Sequence, residues 1–193
     1  MNRRLAAPWL AAALALLVLS GCAEKPALNS KDSTANNTIT EIPLAQRHAP
    51  ISFSGTLDTG GTAKSNDWQG SVVVVNFWYA SCPPCRAEAP DLEALYKKYG
   101  PEGVVFVGVN VRDTAPTARS FAEKFGITYP SIMDNADGAV QLAFHGQIAP
   151  NAVPTTMVLD RQGRAGSRIL GRIPTRLTLS TLIDTALAEG SKK

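Results

Sequence analysis

Cys82-Pro83-Pro84-Cys85 follows the apolar run Val72-Val73-Val74-Val75-Asn76-Phe77-Trp78 after only Tyr79-Ala80-Ser81, and that succession leaves few folds open. An apolar run without alternation reads as a strand covered on both faces, the usual state of a strand inside an α/β sheet. Beyond the second cysteine, Leu92, Leu95, Tyr96 and Tyr99 recur at helical spacing until Gly100-Pro101, so a helix is expected from about Cys82 to Tyr99. Two cysteines three apart at this junction can close into a disulfide and reopen with little backbone movement. The helix start favours negative charge, so the first thiol should be acidic and reactive.

The N-terminal end reads as an export signal. Arg3 and Arg4 precede a nearly unbroken apolar stretch from Leu5 to Leu19, which Ser20-Gly21-Cys22 closes. The stretch suits a secretory signal better than a span of about 20 apolar residues. Small residues just before a cysteine resemble a bacterial lipobox. That resemblance implies cleavage after residue 21, lipidation of Cys22 and a location on the outer face of a bacterial cell membrane. An ordinary signal peptide and an uncleaved anchor are the alternatives. Loss of Arg3 and Arg4 would leave 17 basic against 16 acidic residues, too even a balance to favour nucleic acid. Lys97-Lys98 reads as a solvated helix face. With Cys22 acylated, Cys82 and Cys85 are the only thiols left, and one tight pair is not a disulfide scaffold.

Residues 22–48 are rich in Asn, Ser, Thr, Lys and Ala, too polar to offset the entropy of ordering, and are expected to form a flexible tether. A single domain over 49–190 follows. Ile51–Ser54 and Thr62–Lys64, with the turn cluster Asp58-Thr59-Gly60-Gly61 between them, suggest a hairpin. Val104–Val111 reads as a second buried strand, and Thr114 as the cap of a helix running to Phe125 before Gly126. Short pieces follow, extended at Ser131–Met133 and helical at Ala139–Phe144. Thr155–Leu159 and Ala165–Leu170 flank the turn Asp160-Arg161-Gln162-Gly163, and a last helix covers about Thr175–Ala188. Strands alternating with helices, then a hairpin and a helix, make an α/β sandwich.

Val74-Val75-Asn76-Phe77-Trp78, Cys82-Pro83-Pro84-Cys85-Arg86-Ala87-Glu88-Ala89-Pro90 and Val153-Pro154-Thr155-Thr156 together resemble the TlpA/ResA-like thiol–disulfide oxidoreductases of the thioredoxin-like superfamily. The resemblance implies a three-layer sandwich: a central mixed sheet flanked by helices, an N-terminal hairpin, and a central insert at about 127–148. It implies Cys82 as the attacking thiol and Cys85 as the resolving one, deeper and less exposed, with no cofactor and no metal. Glu88 matches a glutamate that the family places near its active site, a proton acceptor or field source for the thiols. The competing reading is a solvated carboxylate at the helix start. Asn76 stands where plain thioredoxins carry a buried aspartate. Pro154 matches the family's cis-proline; Val153 before it would dock an extended substrate, and Trp78 would cover the edge of the site or else sit in the core. Pro90 should kink the helix.

As partners the resemblance implies disulfide-containing exported proteins, apocytochrome c among them, and a membrane electron carrier that recharges the pair; the chain would act as a monomer. An oxidase-type disulfide-forming protein is the reading of opposite direction. A peroxiredoxin on the same fold fits less well, because Tyr79 and Val75 occupy positions where threonine and proline are expected. A binding lipoprotein with a merely structural disulfide is a third class. Zinc needs four ligands, and outside the pair the histidines offered are the distant His48 and His145, which read as surface residues.

Overall fold

A computed structural model describes residues 38–189 of the chain. The signal segment, Cys22 and the tether up to residue 37 lie outside the described residues. Six strands make one mixed sheet: β1 (Thr38–Glu41), β4 (Val73–Trp78), β5 (Val105–Asn110), β6 (Ser131–Met133), β7 (Thr155–Leu159) and β8 (Ala165–Leu170), in the order β1-β8-β7-β4-β5-β6. β4, β5 and β6 run parallel, while β7 lies antiparallel to β4 and β8, and β1 antiparallel to β8. β2 (Ser54–Thr56) and β3 (Thr62–Lys64) pair separately as the N-terminal hairpin. The helices are α1 (Pro83–Tyr99), α2 (Ala115–Phe125), α3 (Ala139–Ala143) and α4 (Arg176–Glu189). This is the expected three-layer arrangement, with β6 and α3 supplying the insert.

Strand alternation decides what meets what, since successive side chains point to opposite faces. On β4, Val73, Val75 and Phe77 enter one core layer with Val107, Val109, Met157, Phe53 of the hairpin segment and Phe144 beyond α3. Val74 enters the opposite layer, with Leu92 and Leu95 of α1 and Leu179, Leu182 and Ile183 of α4. Asn76 and Trp78 share the face of Val74, so the polar break in the valine run is aimed at α1. Close approach also requires a glycine on this face. A Cβ on Gly108 of β5 would lie 2.3 Å from Ser131 Oγ and 2.7 Å from Trp78 Nε1.

Three expectations need correction. The tether does not reach residue 48, because Thr38–Glu41 forms the edge strand β1, in register with Ser167–Leu170 of β8. Nine-tenths and more buried, the Arg47 side chain donates to Glu189 through two bonds of 2.6 and 2.7 Å and to Asp160 at 3.0 Å. The hairpin ladder begins at Ser54 rather than Ile51. Ile51 N–H is drawn instead to the Gly163 carbonyl at 2.9 Å, and Phe53 binds the hydroxyl and backbone of Ser65. Finally, α1 begins one residue later than expected, with Cys82 as its N-cap, and it continues through Pro90.

Candidate active site

Cys82 and Cys85 form a disulfide, S–S 2.11 Å and Cα–Cα 5.3 Å, at the N-terminus of α1. Pro83 and Pro84 fill the first helical positions, where their missing N–H groups are no loss. Cys85 N–H is the donor left over, and it points back at Cys82 Sγ, 3.2 Å away. Once the pair is reduced, this N–H and the helix start stabilise thiolate over thiol at Cys82.

Neither sulfur is open in this oxidised state. Cys82 is 1 % exposed and Cys85 3 %, which corrects the expectation that Cys85 would be the more hidden. Cys82, the N-cap, packs in a cluster with Trp78, Cys85, Ala89, Ala118 and Phe121, against which Tyr79, Ala80 and Val153 lie. Trp78 also departs from its expected place at the edge of the site. It is buried, lies 4.4 Å from the Phe121 ring and donates its indole N–H to Ser131 Oγ at 3.2 Å. Of the three substrate-contact candidates, half-buried Val153 stays against the cysteine cluster, next to the buried Pro154, and the Val153–Pro154 bond is cis. His48 and His145 are exposed and line one groove with Pro50 and Gln147, elsewhere on the molecule.

Glu88 is fully buried, so the solvated-carboxylate reading falls. Its Oε1 accepts from Asn76 Nδ2 at 2.9 Å and its Oε2 from Ile173 N–H at 2.9 Å. The second Asn76 proton goes to Thr156 Oγ1 at 3.1 Å, across the β4–β7 pairing in which the two residues lie opposite one another. Burial pushes the Glu88 carboxyl up to about 7, against the lowering effect of the Ile173 and Asn76 hydrogen bonds. A carboxyl titrating near neutrality thus sits one turn past Cys85. A water-sized space of about 10 Å³ has Cys85, Asn76, Tyr129 and Ser131 among its lining residues.

This titration has a cost for the fold that can be measured. Between its ordinary value and about 7, Glu88 keeps its proton in the native state and loses it in the unfolded one. The stabilisation is complete below the ordinary carboxylate range and is lost as pH rises through about 7. Urea unfolding should therefore show about 2–3 kcal/mol less stability at pH 7.5 than at pH 5 from this group. Glu88→Gln should flatten the slope; an unchanged slope would refute the assignment.

Sequence reading missed two features of this region. The burial of Glu88 depends on strand register, which local periodicity cannot supply. The other is the turn after β5, where Asp113 reaches the loop leading into Cys82; only the polar cluster Asn110–Thr114 hinted at it.

Known proteins agree with this geometry. The Redoxin family model matches residues 43–184. The thiol-disulfide oxidoreductase ResA of Geobacillus thermodenitrificans is 33 % identical over 112 residues, 58 % of this chain and 62 % of the relative. The thiol:disulfide interchange protein HelX of Rhodobacter capsulatus is 34 % identical over 119 residues, 62 % of each chain. These matches span less than two thirds of the length of the curated relatives. The crystal structure of a DsbF homologue from Corynebacterium diphtheriae superposes with a TM-score of 0.69 at 33 % identity, covering 79 % of this chain and 96 % of that one. With a thioredoxin-like sheet order, a cysteine pair capping α1 and a family match over most of its length, the chain belongs to the Redoxin family.

Proposed function

We propose that the protein is a thiol–disulfide oxidoreductase on the extracytoplasmic face of the bacterial cell membrane, tethered through lipidated Cys22 and working as a disulfide reductase on exported proteins. One observation carries this reading: the cysteine pair caps a helix whose first free N–H points at Cys82 Sγ from 3.2 Å. In the reduced state the Cys82 thiolate attacks a client disulfide. The S–S bond breaks, one client sulfur leaves as thiolate, and a mixed disulfide forms on Cys82. Cys85 then gives up its proton and attacks Cys82 Sγ, releasing the second client thiolate and restoring the bond seen here. The client gains two electrons and the pair loses two, so a membrane dithiol carrier must return them.

Glu88 tunes this cycle from below. Its oxygens are both occupied by N–H donors, so it acts through its charge and its proton near neutrality. Val153, beside the buried cysteines, is the client-docking position, and the haem-site cysteines of apocytochrome c are the client class that the family resemblance implies. Because Cys82 is sealed in the oxidised state, exchange requires one of the groups packed on the cluster, Tyr79, Ala80 or Val153, to move.

The test is a trap. Reduced protein carrying Cys85→Ser, mixed with a disulfide-bonded model protein, should accumulate an intermolecular disulfide at Cys82, identified by peptide mass. If none forms while the variant remains folded, the pair is structural and the reading fails.

A further inference from the structure

The loop that carries Cys82 is gripped at one residue. Ala80 N–H donates to Asp113 Oδ2 at 2.6 Å, and the Ala80 carbonyl accepts from Arg86 Nε at 2.8 Å. Asp113 comes from the turn after β5, while Arg86 sits on α1 immediately after Cys85. The Asp113 carboxylate is itself aimed. Asn110, fully buried, accepts the N–H groups of Arg112 (3.1 Å) and Asp113 (2.7 Å) on its amide oxygen and donates from Nδ2 to Asp113 Oδ2 at 2.8 Å. Both ends of one buried amide are thus spent on orienting one carboxylate. The guanidinium of Arg112 covers the Tyr79 ring at 4.3 Å, and Cys82 N–H closes the loop onto the Tyr79 carbonyl at 3.2 Å.

We infer that Asp113 is a positioning residue for thiol exchange: by holding the Ala80 N–H it keeps Cys82 Sγ in line with the Cys85 N–H at the start of α1. The inference rests on the proposed exchange activity and adds to it a residue that neither the cysteine motif nor the family resemblance singles out. A charge-assisted bond from a carboxylate to a backbone N–H is strong and directional, and its removal frees a loop two residues from the reacting sulfur. α1 brings Arg86 and Glu88 within a turn of the cysteines, with Asp91 and Glu93 further along; the turn brings Arg112 and Asp113; and α2, whose Ala118 and Phe121 pack in the cysteine cluster, carries Arg119, Glu123 and Lys124. A pure charge effect of Asp113 on the thiolate would be repulsive, opposite in sign to the positioning effect.

That opposition makes the test decisive. The rate of Cys82 carboxamidomethylation is measured against pH in the reduced full-length protein carrying Cys85→Ser, with the product resolved by peptide mass. Asp113→Ala should raise the midpoint by about 0.5 or more, roughly a threefold fall in the acid dissociation constant of the thiol. Asp113→Asn, whose amide oxygen can still accept from Ala80 N–H, should restore most of it. A change in loop access would alter the plateau rate rather than the midpoint. Midpoints that fall in both variants would show a charge role, and midpoints that stay put while only the melting temperature drops would show a purely structural one; either overturns the inference. A parent midpoint like that of an ordinary peptide thiol would instead defeat the proposed function itself, whatever Asp113 does.

Discussion

Cys82→Ser should reduce disulfide exchange to the uncatalysed rate, and Cys85→Ser should stop turnover while leaving the first attack intact. The asymmetry follows from the helix cap. Only Cys82 Sγ receives an N–H hydrogen bond from the start of α1, so only this sulfur is held as the nucleophile, and a serine hydroxyl in its place cannot form a disulfide at all. Cys85 meets its substrate only after Cys82 has reacted. Single-turnover kinetics with a disulfide-bonded model protein separates the two: no burst for the first variant, a full burst of mixed disulfide for the second. Equal behaviour of the variants would remove the assignment of roles.

Arg47→Met should destabilise the folded domain by about 3 kcal/mol, the lower end of what breaking a buried ion pair costs. Arg47 ties the segment after β1 to the turn between β7 and β8 and to the end of α4, its guanidinium bound at once to Asp160 and, through two bonds, to Glu189. Asp160 is the buried partner. Burial raises its carboxyl, but the Arg164 backbone N–H and the Arg47 and Arg164 side chains prevail and hold it below its usual value. Truncation leaves Asp160 with Arg164 as its remaining cation and Glu189 with none of its Arg47 bonds. The melting temperature should fall by about 6–12 °C for a domain of this size, and the loss should be larger at pH 7 than in acid strong enough to protonate Asp160, whose carboxyl is held below its usual value. A drop of under 1 kcal/mol would mean that the N-terminal segment docks by the β1–β8 ladder alone.

How much of this was legible beforehand depends on how local each cause is. Thr155–Leu159 and Ala165–Leu170 emerged with their full bounds because an unmistakable turn separates them and β-formers fill most of the first. The helix from Pro83 to Tyr99 was readable from its spacing, and its role in the site from two cysteines at its start. β1 was not readable. Thr38–Glu41 is short and polar, its partners lie about 130 residues away in β8, and the side chain that pins the following segment bonds to residues 113 and 142 positions on. Glu88 was recognisable as a candidate but not as a buried one. Its burial follows from Asn76 sharing a strand face with Val74 and lying opposite Thr156, and register across a sheet is not written in either strand alone. Trp78 took the core alternative for a related reason: Gly108, which lies in none of the motifs, leaves the space that the indole fills.

The reactivity of reduced Cys82 toward an alkylating reagent bears on all of this at once. Followed against pH, half-maximal reaction should come well below the value of about 8.5 typical of a free cysteine, because the Cys85 N–H and the α1 N-terminus stabilise the thiolate. A midpoint at or above that value, with Cys82 reacting no faster at pH 7 than a cysteine in an unstructured peptide, would contradict it.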